Sequence, residues 1–186
     1  MSFVLLGILN AQAAGAGAAG NFDLLETTTL GTATASVTFD NLDSYSAYKH
    51  LQIRAVSRTN RGGATGDYLK INFNSNTNSA DYNGHFIQGT GSAVQSSNFD
   101  NSFILVNRAT GSTAATDAFG ATVLDVLDFS STSKNTTIRA LGGTDDNITL
   151  ASGVFLVTDA ITSVTVTAGN GSLQANSRFS IYGIKG

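Results

Sequence analysis

The chain has 186 residues, a net charge of −3, no cysteine and no proline. That length suits one domain, and the absence of cysteine excludes both a disulfide framework and any thiolate-held zinc or iron–sulfur site. With charged residues at 12% and a slightly acidic balance, the basic footprint of a nucleic-acid binder is excluded as well.

The first stretch, Phe3-Val4-Leu5-Leu6-Gly7-Ile8-Leu9, sets six large apolar side chains (Phe3, Val4, Leu5, Leu6, Ile8, Leu9) ahead of an Ala/Gly-rich neck. Fully burying one such side chain is worth roughly 1.5–3 kcal/mol, so six could supply on the order of 10 kcal/mol gross. This is comparable to the lower and middle estimates of what association costs, about 4–15 kcal/mol. Residues 1–21 are therefore expected to be an assembly arm and neck that dock onto a partner or another copy, with residues 22–186 as the folded domain. A secretory signal would share the apolar run and an A-x-A site such as Ala11-Gln12-Ala13, but it needs a positive leader, and the first cation is Lys49. A membrane-spanning helix needs about 20 apolar residues, which Phe3–Leu9 does not approach. The plain alternative is that the arm is the first strand of the chain's own core. Gly15-Ala16-Gly17-Ala18-Ala19-Gly20 matches G-x-G-x-x-G in letters, but the dinucleotide fingerprint opens a helix, and the residues after Gly20 are Thr-rich and strand-like.

From Phe22 the pattern is strand, turn, strand. Phe22–Leu30 reads as a strand, and Ala33, Ala35, Val37 and Phe39 alternate with Thr34, Ser36 and Thr38, the period of a half-buried strand. Asp40–Ser44 is turn chemistry. Tyr48–Arg58 comes next, with Leu51, Ile53 and Ala55 inward and Gln52, Arg54 and Arg58 outward. After a glycine-rich loop over Thr59–Asp67, Leu69, Ile71 and Phe73 alternate with Tyr68, Lys70 and Asn72. Asn74–Asn83 reads as a loop, Gly84–Gln88 as a short strand, and Ser92–Asn101 as a polar loop with Val94 and Phe99 as exceptions. Ser102–Arg108 is a strand, Ala109–Asp117 a small-residue loop, and Phe119–Phe129 the most apolar internal stretch, expected as a central strand. Thr136–Leu141, Leu150–Thr158, Ile161–Ala168 and Arg178–Ile184 complete about eleven strands. Ser, Thr and Asn supply 59 of the 186 residues, with one Glu and four Lys, which favours strands and turns over exposed helix faces. Short strands with Gly, Asn and Asp turns and no helical punctuation predict an all-β antiparallel sandwich. The longer loops suit Greek-key crossings, so the expected fold is jelly-roll-like.

Catalytic constellations are thin, and no enzyme activity, cofactor or metal is expected. His50 and His85 are the only histidines, both in strand-like stretches, and no local signature supports a nucleophile triad. Asp125 and Asp128 lie three apart in a strand and so point to opposite faces, which spoils them as a carboxylate pair for glycoside hydrolysis. Asp145-Asp146-Asn147 reads as a hairpin turn. Asn74, Asn76 and Asn78 with Asp81 imitate a calcium loop but lack its glycine and its closing acid. Arg54, Arg58 and Arg61 could form a basic patch or pair with Asp residues of a neighbouring subunit. The sequons at Asn135, Asn147 and Asn170 are expected by chance in a chain this rich in Asn, Ser and Thr.

Asn176-Ser177-Arg178-Phe179-Ser180-Ile181-Tyr182-Gly183-Ile184-Lys185 resembles the closing strand of small β-sandwich virion proteins of tailed bacteriophages, notably marine and cyanobacterial ones. Ser36–Phe39, Tyr48–Arg54, Leu69–Asn74 and Ala160–Val164 are similar to that group too, so the resemblance runs from about Phe22 to Lys185. These are core strand patterns, and they imply a structural or binding role on the particle. The first expectation is a capsid decoration or cement protein, located in the virion after assembly in the host cytoplasm and anchored by the arm on the major capsid protein or a neighbouring copy. The other is a tail or tail-fibre component whose loops read host glycans, with Tyr45, Arg61, Asn76, Tyr82 and Phe99 as candidate surface residues. An open-edged sandwich short of Pro and Lys must cover its edges, so a homo-oligomer is expected, a trimer first by analogy. The expected partners are other virion proteins, with neither nucleic acid nor membrane among them.

Overall fold

A computed structural model gives the fold and describes residues 21–99 and 101–186. The expected arm residues Phe3, Val4, Leu5, Leu6, Ile8 and Leu9 lie outside the described residues. The strands are β1 (Phe22–Thr29), β2 (Ser36–Phe39), β3 (His50–Ser57), β4 (Gly66–Phe73), β5 (Tyr82–Gly89) and β6 (Val94–Phe99), then β7 (Ile104–Thr110), β8 (Gly120–Leu127), β9 (Thr136–Gly143), β10 (Ile148–Phe155), β11 (Val164–Ala168) and β12 (Arg178–Ile184). Two single 3-10 turns, Leu42–Tyr45 and Ser79–Asp81, sit in the connections.

Two antiparallel sheets pack face to face. The larger runs β1-β12-β3-β8-β9-β10-β5-β6 and the smaller β2-β11-β4-β7. From β2 onward the chain crosses between the sheets at β3, β4, β5, β7, β8, β11 and β12. If the β8–β9–β10 meander is counted as one strand, β3, the meander, β5 and β6 face β2, β11, β4 and β7, which is the two-by-four order of a jelly roll. Because the meander has an odd number of strands, it enters antiparallel to β3 and leaves antiparallel to β5. The fold is an all-β, antiparallel, jelly-roll-like sandwich, with β1 and β12 widening the larger sheet beyond β3.

Alternation builds the core. Leu51, Ile53 and Ala55 of β3 and Leu69, Ile71 and Phe73 of β4 are buried between the sheets, as the period-2 pattern requires. Phe155 joins the two layers, its ring 5.4 Å from Phe73 and 4.9 Å from Tyr82. The apolar stretch expected to be central is β8, fourth of eight in the larger sheet and flanked by β3 and β9.

Two expectations are corrected. Ser92–Asn101 is not a loop, because Val94–Phe99 forms edge strand β6, paired to β5 from Gly89↔Val94 to Gly84↔Phe99. Its ladder is backbone hydrogen bonding to β5, which side-chain periodicity does not report. Phe99 accordingly packs inward over a glycine: a Cβ on Gly84 would lie 2.7 Å from its ring. Tyr82 is not a surface residue. It starts β5 on the inward parity and is 1% exposed. Its hydroxyl accepts the Phe73 N–H at 3.0 Å and donates to the Asn76 carbonyl at 2.9 Å, and burial pushes its phenol pKa up.

Candidate interaction surface

The outer face of the larger sheet carries the most distinctive surface among the described residues. Strand register aligns its outward side chains in rows. Across β3, β8, β9, β10, β5 and β6 one row reads Arg54, Val123, Leu141, Leu150, Ile87 and Ser96. The next reads Val56, Ala121, Gly143, Ile148, Gly89 and Val94. The seven large apolar side chains of these rows are 39–73% exposed, leaving on the order of 600 Å² of contiguous apolar surface, the upper limit for an ordinary monomer. Three adjoining hollows, of about 320, 410 and 390 Å³, meet at Leu150, and Leu141, Ile87 and Arg139 each wall two of them.

The packing inside explains part of this arrangement. In β10 the inward residues are Thr149, Ala151, Gly153 and Phe155, while Ile148 and Leu150 face out. Two small residues, Gly153 of β10 and Gly142 of β9, lie under bulkier side chains of β7 from the facing sheet. A Cβ on Gly153 would sit 2.8 Å from Ile104, and one on Gly142 would collide with the Asn107 side-chain amide. The interior over β9 and β10 is thus filled from the other side, and the larger residues of β10 are on the outside.

A polar row borders the patch: Gln52, Asp125, Arg139, Ser152 and His85. Arg139 Nε donates to Asp125 at 2.7 Å, Gln52 Nε2 donates to the other Asp125 oxygen at 2.7 Å, and Arg54 Nε donates to Gln52 Oε1 at 2.9 Å. Arg54 also lies 4.8 Å from the ring centroids of both Phe22 and Tyr182. Arg54, Gln52, Asp125 and Arg139 thus form one hydrogen-bonded chain along the border of the apolar rows.

The residues expected to read a ligand from loops are not all brought together. Asn76 and Tyr82 lie at the end of the sandwich where β5 begins, near Phe99, which pairs with Gly84. Arg61 lies beyond the last residue of β3, at the opposite end. Asn76 organises its own turn, donating to Asp81 and accepting from the Asn78 N–H, both at 2.7 Å. Arg61 donates to the Gly66 carbonyl at 3.2 Å and stands 3.8 Å from Asp67, a buried carboxylate that also accepts the backbone N–H groups of Tyr68, Asn170 and Gly171. Tyr45 is half-buried against the core.

The remaining candidates are structural. His50 Nδ1 accepts the Asp128 N–H at 2.9 Å. Asp128 sits beyond β8 at φ 52, 2.5 Å from Lys134, whose hydrogen bond holds its carboxyl below the ordinary range. Asp145-Asp146-Asn147 is the β9–β10 hairpin turn, closed by Thr144 N–H to the Asn147 carbonyl at 2.9 Å. Hydrogen bonds from Thr144 and then Thr65 hold the Asp146 carboxyl low. Asn74 is spent on the Thr162 and Ser163 N–H groups.

The apolar face was missed in the sequence, although a signal existed. Val123-Leu124, Ala140-Leu141, Leu150-Ala151 and Phe86-Ile87 are adjacent apolar pairs within strands, which means apolar character on both faces. Comparison with protein-family models gives no match, and comparison with curated proteins gives none.

Proposed function

We propose that this chain is a non-enzymatic structural protein of a tailed-phage particle, a capsid decoration or cement protein that works through protein–protein contact. The observation that carries the reading is the apolar outer face of the larger sheet. Covering about 600 Å² of it would be worth on the order of 15 kcal/mol gross, matching the upper estimates of association cost. The resemblance of the strand patterns to small virion sandwiches supplies the context. The N-terminal arm anchors the chain on the shell or on a neighbouring copy, and a closed homo-oligomer, a trimer first, covers the open sheet edges. The tail-fibre alternative, with loops that read glycans, is weakened because Tyr82 is buried and Arg61 lies at the end of the sandwich opposite Asn76 and Phe99. Quantitative mass spectrometry of purified particles tests the proposal. Hundreds of copies per particle are expected; a few dozen would move the chain to the tail, and its absence from particles would refute the reading.

A further inference from the structure

Resting on the reading of this face as a contact surface, we propose that its occupant is the Phe3–Leu9 segment of a second copy of the chain. The segment supplies six large apolar side chains in seven residues and no charge. The face supplies seven large apolar side chains, and the charges at its border, Asp125, Arg139 and Arg54, are joined in one hydrogen-bonded chain through Gln52.

Reach allows a neighbour as well as the same copy, and the open sheet edges favour the neighbour. The described chain starts at Asn21, beside β1, the outermost strand of the larger sheet. From β1 to its own β10 is five strand spacings, about 24 Å at 4.8 Å each. The larger sheet has an even number of antiparallel strands, so β1 and β6 run in opposite directions. A copy placed with its β6 beside this β1, in the same orientation, therefore continues the antiparallel order. Neither β1 nor β6 contains lysine or proline to block such an approach. In that arrangement the neighbour's apolar rows begin at Val94, one spacing from β1, and reach Ile87 and Leu150 at two and three, about 10–15 Å. The same copy's rows begin at Val56 and Val123, two and three spacings away. Residues 10–20 can span at most about 40 Å when extended, so both faces are in range.

Complementation between two full-length variants tests this. One alters the face (Leu141→Asp with Leu150→Asp, both positions more than half exposed); the other alters the segment (Leu5→Asp with Leu6→Asp) and leaves the folded body unchanged. In analytical ultracentrifugation the unaltered chain is expected to self-associate. Each variant alone should associate at least about thirtyfold more weakly, the size of a hot-spot loss. Mixed, they should form a one-to-one complex, because the face variant still offers a segment and the segment variant still offers a face. Circular dichroism confirms that the face variant is folded; if it is not, the segment variant alone must still show the loss. An unaltered chain that stays monomeric, a folded face variant that associates normally, or a mixture without a complex overturns the proposal. Failure of the virion assignment would appear instead in particle copy number, which these measurements do not touch.

Discussion

Tyr82→Phe separates a core tyrosine from a surface one. The substitution keeps the ring against Phe155 and removes only the hydroxyl. That hydroxyl accepts the Phe73 N–H at 3.0 Å and donates to the Asn76 carbonyl at 2.9 Å. The Asn76 carbonyl keeps a second donor, Asn72 Nδ2 at 3.2 Å, so its loss is partial. The Phe73 N–H, at the buried end of β4, is left without its partner. An unsatisfied buried group costs about 1–3 kcal/mol and a lost neutral hydrogen bond about 1 kcal/mol, so the expected destabilisation is about 1.5–3 kcal/mol. For a domain of this size that lowers Tm by roughly 3–12 °C. Urea denaturation monitored by circular dichroism reads the free energy, and a thermal melt checks it. A change under about 0.5 kcal/mol, the ordinary range for surface substitutions, would refute the placement of Tyr82 as the strut of the β4–β5 connection.

Gly142→Ala should cost about 2–4 kcal/mol, because its Cβ would run into the Ala121 carbonyl as well as into Asn107. Overpacking and the loss of the Asn107 hydrogen bonds act together there, and a near-neutral denaturation curve would contradict this packing. Asp128→Asn preserves a residue type that tolerates positive φ while removing the charge opposite Lys134. The folded-state pKa of Asp128 lies below its ordinary 3.8, so its stabilisation is full above about pH 4 and is lost as pH falls through the folded value. The Tm gap between the unaltered chain and the variant is therefore expected at pH 6–7 and should close below about pH 4. A gap that does not depend on pH would rule out the ion pair as its source.

The fold was legible because strand alternation and turn chemistry are local. Arg178–Ile184 and most other strands fall where the period and the glycines place them, and Asp145-Asp146-Asn147 is a turn as read. What stayed hidden was non-local. β6 has two apolar residues in six and is ordered by the β5 backbone. Tyr82 sits beside an Asn-rich loop that looks exposed, yet it is buried against Phe73 of the facing sheet and against Phe155, which comes from the distant β10. In β10, periodicity alone would bury Ile148 and Leu150, whereas Thr149, Ala151, Gly153 and Phe155 face inward and Ile104 of the facing sheet fills the space over Gly153.

This inversion in β10 bears on function because folding does not demand it. With the interior already filled between the sheets, Ile148 and Leu150 could be Thr or Lys at little cost to stability, since exposed positions usually change it by no more than about 0.5 kcal/mol. Their apolar character is what the proposed contact outside the fold would require. Val94 extends the argument. It is the most exposed large apolar residue described, at 73%, and it stands on edge strand β6, across from Gly89 and two strands from Ile148. The apolar surface thus does not stop within the sheet but runs to its open margin, which supports the proposed contact with a second chain over a pocket for a small ligand.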